Sequence, residues 1–151
     1  MIGEGTVVEI GTVIQGPTVI GKNCHIGFNN YIRGHTRIGN FVSMGGYCTV
    51  GNAEIGDYVW FGPLVFCSDD RKISHHRPLP LEGLRGVRIE RGARIAGHVM
   101  TLPGVTIGEG AFVGAYSLVT KDVKPRTLVR GIPAKEVEDK RGFLKEEITR
   151  P

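Results

Sequence analysis

Large side chains are scarce in this 151-residue chain: one Trp, four Tyr and six Phe, 7% in all. A core built on bulky aromatics is therefore excluded, although 40% hydrophobic content places the chain among globular proteins. Three cysteines at irregular spacing form neither a disulfide framework nor a zinc pattern. No apolar run approaches the roughly 20 residues of a membrane span. Met1-Ile2-Gly3-Glu4 opens directly into patterned sequence, with no secretory leader in view. The expectation is a soluble, reduced, cytoplasmic protein without membrane contact. Glycine is abundant, at 23 residues, but follows no Gly-X-Y period, so a collagen-like chain is excluded.

The positive charge is concentrated. The formal net charge is +4, and the stretch from Lys121 to Lys135 holds Lys121, Lys124, Arg126, Arg130 and Lys135 against one acid, Asp122. The rest of the chain is neutral overall. A small anionic partner suits so short a stretch better than a nucleic acid, which needs a broader basic surface.

A six-residue beat runs through the chain. Aliphatic or similar residues recur at Ile2, Val8, Ile14, Ile20, Ile26, Ile32, Ile38, Met44 and Val50, then at Ile55, Phe61 and Cys67. After a gap it resumes at Ile89, Ile95, Thr101, Ile107, Val113 and Val119. The next position is glycine in ten of these eighteen repeats, and the position four residues on is small or β-branched in nearly all. Six residues suit a short strand plus a bend, with glycine relieving the steric cost there. Three units close a triangle, so about six coils would stack to a height of roughly 29 Å. The aliphatic column fills a narrow interior, and each coil needs neighbours to bury its inner face.

This pattern resembles the hexapeptide-repeat family over residues 2–67 and 87–135. The resemblance implies an all-β fold, a left-handed parallel β-helix of about six triangular coils; the hand comes from the family and not from the spacing. The expected division is a β-helix over 1–131 with an inserted loop at 68–86, and a C-terminal helical tail over 132–151. Val137, Leu144 and Ile148 lie at near-helical spacing in that tail, and a short helix there would cap the last strands. The insertion is either a tolerated surface loop or a functional one.

Residues 94–123 and the ending Gly131-Ile132-Pro133-Ala134-Lys135 look like the coenzyme A-dependent acyltransferase branch. Phe61-Gly62-Pro63-Leu64-Val65-Phe66-Cys67-Ser68-Asp69 looks most like the subgroup that N-acetylates nucleotide-linked amino sugars, with Cys67 and Ser68 in place of its usual Thr-Asn. The resemblance implies acetyl-coenzyme A as cosubstrate, no metal, a small sugar acceptor and a homotrimer with active sites between prisms. The expected activity is acetyl transfer to a sugar amine or hydroxyl.

The residues fit that chemistry. Gly97, Gly114 and Ala115 would expose main chain to an extended pantetheine arm, and Lys121, Arg126 and Lys135 would meet its phosphates. Acyl transfer needs a proton acceptor of near-neutral pKa, for which histidine is suited. His75 and His76 sit on the insertion, where the family commonly places active-site groups. His98 and His35 fall at prism corners, and His25 is given no role. Asn29, Tyr47, Leu64, His98 and Tyr116 stack on one corner by repeat counting, a groove wall to which Asn29 would bring a substrate contact. Asp69 or Asp70 could bind a sugar hydroxyl or amine. Asn30, in the inward small column, either bonds to backbone or marks a site. Cys24, Cys48 and Cys67 read as core residues. Two other readings remain: a γ-type carbonic anhydrase, whose zinc histidines include a pair five residues apart that is absent here, and a non-catalytic β-helix scaffold.

Overall fold

The computed structural model describes residues 1–72 and 82–148. The beat becomes a left-handed prism of about six turns with three parallel faces. The first face stacks Val7–Val8, His25–Ile26, Ser43–Met44, Trp60–Phe61, Arg94–Ile95, Phe112–Val113 and Leu128–Arg130. The second stacks Val13–Ile14, Tyr31–Ile32, Thr49–Val50, Phe66–Cys67, Met100–Thr101 and Leu118–Val119. The third stacks Thr18–Ile20, Thr36–Ile38, Glu54–Ile55, Arg88–Ile89 and Thr106–Ile107.

Every step of the aliphatic column is in register: Ile26 pairs with Met44, Phe61 with Ile95, and Ile89 with Ile107. From Ile20 to Val119 these side chains are buried, each contributing about 1.5–3 kcal/mol for a Val or Ile. The small column has a second task besides fitting. Thr6 and Thr12 hydroxyls donate to the carbonyls of Gly21 and Gly27 at 2.7 Å, and Ser117 donates to Gly114 at 2.6 Å. Asn30 belongs to the same system. Its amide donates to the Gly27 carbonyl, and its Oδ1 accepts from the Cys48 N–H, both at 2.7 Å. The backbone reading of Asn30 is the one the geometry supports.

The glycine column does different work from that expected. The glycine after the aliphatic is not where the chain turns left-handed; that conformation falls two residues later, at Asn29, Tyr47, Leu64, His98 and Tyr116 among others. The glycine is needed because successive coils approach closely there: a Cβ on Gly45 would lie 2.7 Å from the Pro63 nitrogen. Non-glycine residues hold positive φ at the corners because the backbone ladder over-determines them. The N–H of Tyr47 donates to the Phe28 carbonyl at 3.1 Å, and that of His98 to Pro63 at 3.0 Å.

The tail departs from expectation. Lys135–Glu136 turns back as an antiparallel strand on Leu128–Arg130, and a 3-10 turn at Phe143–Lys145 is the only helical element among the described residues. Gly142, left-handed at φ 73°, starts that turn, and Asp139 accepts hydrogen bonds from the N–H groups of Phe143 and Leu144. Phe143 stacks on Phe112 at 4.7 Å, and Arg94 donates to the Phe143 carbonyl and pairs with Glu146. The spacing of Val137, Leu144 and Ile148 thus serves side-on packing of an irregular strap. The antiparallel strand, not a helix, covers the first face's last parallel strand.

Candidate functional site

One corner, between the first and second faces, gathers most of the residues singled out above. Asn29, Tyr47, Leu64, His98 and Tyr116 climb it coil by coil, each N–H bonded to a carbonyl one coil below. His98 is exposed, and its ring lies against that of Tyr116 with centroids 4.5 Å apart and an interplanar angle of 12°. Lower down, Phe28 meets Tyr47 edge-on at 5.2 Å. Asn29 sits three coils below His98, so the two share a wall without sharing a contact.

Beside this aromatic wall the upper coils carry only small residues. Pro63, Gly97 and Ala115 occupy one level of the corner in successive coils, and Gly62, Ala96 and Gly114 the adjacent one. A Cβ on Gly62 would lie 2.5 Å from the Gly97 nitrogen, so the coils there pack backbone to backbone. Gly97 and Ala115 are at least partly open, and their N–H groups have no carbonyl partner among the described residues. Such groups are ready donors for an amide-bearing ligand.

This wall runs into a cleft of about 870 Å³ between the prism and the strap. Ala96, Gly114 and Ala115 line its floor, Phe112 and Phe143 one side, and Arg130, Lys140 and Arg141 bring positive charge, with Glu138 the acid among the lining residues. Sequence reading missed Lys140 and Arg141. They lie outside the basic stretch and enter only because the strap folds back. The expected phosphate-binding set is not gathered in one place. Lys121 and Arg126 are exposed on the other two corners, Arg126 in a separate cleft of about 900 Å³, and only Lys135 stays near, opposite Arg130 in the antiparallel pair.

The insertion leaves from a different corner, between the second and third faces. His75 and His76 lie outside the described residues. Asp69 is buried, its carboxylate accepting from Arg33 Nη1 at 2.9 Å and from Asn52 Nδ2 at 2.6 Å, so it does not present an open carboxylate to a sugar. Asp70 Oδ1 accepts from the Lys72 N–H at 2.9 Å. His35 is exposed at this corner, and His25 pairs with Glu9 at 2.6 Å far from both sites.

No cysteine is placed for nucleophilic work. Cys24, Cys48 and Cys67 are all buried, and burial pushes the Cys67 thiol up to about 12. Desolvation raises the Cys48 thiol too. Among the described residues no group of three or more His, Cys, Asp and Glu side chains could hold a metal ion. No helix among them is long and apolar enough to cross a membrane.

Residues 1–34 match the family model described as bacterial transferase hexapeptide (six repeats). A provisionally named acetyltransferase of Staphylococcus aureus (strain COL) is 48% identical over 63 residues, which is 42% of this chain and 32% of that protein. The matched stretch thus spans about a third of that relative's length. Solved structures match over far more of the chain. AntD, an N-acyltransferase from Bacillus cereus in complex with dTDP and 3-hydroxybutyryl-CoA, superposes with a TM-score of 0.80 at 21% identity, covering 95% of this chain and 85% of that one. The acetyltransferase domain of PglB from Neisseria gonorrhoeae, in complex with acetyl coenzyme A, gives 0.73 at 18% identity, covering 88% and 58%. At these identities the likeness is one of fold.

Proposed function

We propose, taking the hexapeptide prism as premise, that this chain transfers an acyl group from a coenzyme A thioester to the amine or hydroxyl of a sugar, foremost a nucleotide-linked amino sugar. One observation carries the reading: unpartnered main-chain N–H groups at Gly97 and Ala115 run from an exposed imidazole, His98, into a basic cleft. An extended amide-bearing arm with a phosphorylated head has that shape and polarity. The binding of CoA thioesters and dTDP by structural neighbours supports the same class of ligands.

The residues then divide the work. Gly97 and Ala115 receive the pantetheine arm, and Arg130, Lys140 and Arg141 receive the phosphates by charge-assisted hydrogen bonds. His98 takes a proton from the acceptor as its nitrogen or oxygen attacks the thioester carbonyl, with His75 and His76 of the insertion as the other candidates. A new C–N or C–O bond forms, the C–S bond breaks, and the proton passes to the departing thiolate. The acyl group is acetyl in the simplest form, and the location cytoplasmic, where acyl-coenzyme A is made.

The working unit is a homotrimer. The second face turns Val13, Tyr31, Phe66 and Met100 outward, continuous with Tyr47, Leu64 and Tyr116 at the corner, and all are exposed in the single chain. An apolar stripe of this extent marks an interaction surface, and a triangular prism suits a three-fold ring. Light scattering should give three times the 16.4 kDa chain mass.

The decisive experiment follows free thiol release with acetyl-coenzyme A and a panel of dTDP- and UDP-amino sugars and simple sugars, alongside titration calorimetry of coenzyme A. Acceptor-dependent thiol release, with coenzyme A binding that weakens as salt rises, is expected. Absence of coenzyme A binding would sink the enzymatic reading and leave the scaffold.

A further inference from the structure

We propose that Asp69 is a positioning residue for the proposed acyl transfer, pinning both feet of the inserted segment to the prism without touching the reacting atoms. The inference rests on the acyltransferase reading but has its own structural readout. Asp69 opens the insertion, where an exposed carboxylate would be expected, yet it is 5% exposed. Its Oδ1 accepts from Arg33 and its Oδ2 from Asn52, residues of two lower coils on the same corner. Its backbone carbonyl accepts from the N–H of Arg85 at 2.7 Å, at the far foot of the insertion. One residue thus joins two coils and both feet.

The surroundings are shaped for that carboxylate. A Cβ on Gly51 would lie 2.6 Å from Asp69 Oδ2, so the glycine leaves the space the side chain fills. Arg71 extends the anchor upward, donating to the Pro103 carbonyl from Nε at 3.1 Å and from Nη2 at 2.8 Å. The clamp therefore spans four coils of one corner, and the stretch carrying His75 and His76 hangs between its two ends. A reacting group displaced by about 1 Å can lose on the order of 100-fold in rate, so the anchor of such a segment acts on turnover rather than on ligand binding.

The test compares Asp69→Asn, Arg33→Met, Arg33→Lys and Asn52→Ala in the full chain. Three readouts are taken: kcat and KM for acetyl-coenzyme A, hydrogen exchange at the Arg85 amide, and exchange at the Ile26 and Val113 amides in the core. For Asp69→Asn and Arg33→Met, kcat should fall at least tenfold with KM within twofold, while Arg85 exchanges at least tenfold faster and the core amides do not change. Arg33→Lys should restore part of both effects, and Asn52→Ala should give a smaller loss of the same kind. Faster Arg85 exchange with unchanged kcat would overturn the positioning role. A fall in kcat with Arg85 protection intact would place Asp69 in contact with the reacting groups and overturn it too, as would loss of core protection in every variant. If the wild-type chain transfers no acyl group the acyltransferase reading fails alone, because the exchange arm still reports whether the clamp exists.

Discussion

His98 and Tyr116, one coil apart, lie face to face with ring centroids 4.5 Å apart, and both hold a left-handed backbone to do so. The stack orients the imidazole beside the open N–H of Gly97, which makes His98 testable separately from its packing. His98→Phe keeps the stack and removes the proton acceptor. It should lower kcat about 100-fold with no change in Tm, whereas His98→Ala should add a stability loss of about 1 kcal/mol. Stopped thiol-release assays and thermal melts check both. A fully active His98→Phe enzyme would move the base elsewhere, His75 and His76 being next.

Gly97→Val probes the open main chain. The backbone at this glycine is outside the left-handed region, and an added Cβ would meet only the Pro63 carbonyl oxygen at 3.2 Å. The variant should fold at a cost of about 1 kcal/mol or less. Coenzyme A affinity, read by calorimetry, should drop at least tenfold because the β-branched side chain covers the N–H groups. Retained affinity would show that the arm lies elsewhere.

Cys67 makes stability fall in alkali. Its thiol rises from an ordinary 9.0 to about 12, chiefly through burial, so between those values the unfolded chain releases a proton that the folded chain keeps. Its contribution is fully present below pH 9 and is lost as pH rises toward 12, by about 1.4 kcal/mol per pH unit at most. Cys67→Val suits a column of Ile and Val and should flatten that part of the slope in denaturant titrations at pH 8, 10 and 11. The wild-type thiol should also resist iodoacetamide at pH 8.

Asp139 ties the strap at its exposed end. Hydrogen bonds from the backbone of Leu144, with those of Phe143 and Gly142 and the nearby Lys145, hold its carboxyl below the ordinary 3.8. The stabilisation is present above that value and disappears as pH falls through the lowered one. Amide resonances of Phe143 and Leu144 should therefore move together on acidification below about pH 4, and Asp139→Asn should produce the shifted positions already at pH 7. Unmoved resonances in the variant would mean that the turn stands on Phe143 packing alone.

The prism was legible because its physics is local and repetitive. A period of six in Ile, Val and Met states which side chains face inward, and the one-step advance from Val50 to Ile55 is absorbed at Asn52 without loss of register. The aromatic corner could be counted off for the same reason. Non-repeating parts were less readable. The helical spacing of Val137, Leu144 and Ile148 described which side chains pack inward but not the backbone that presents them, since Gly142 and the Asp139 cap favour a tight turn.

From composition and period alone the chain determined its inner column, its coil count and the small residues that keep one corner thin, because each depends on neighbours a fixed number of residues apart. Only the tertiary structure decided that Lys121 and Arg126 part company around the triangle, that Lys140 and Arg141 fold back to Arg130, and that Asp69 faces inward to Arg33 and Asn52. Charges adjacent in sequence are carried to different corners by a winding chain, and those distant in sequence are brought together where the winding stops.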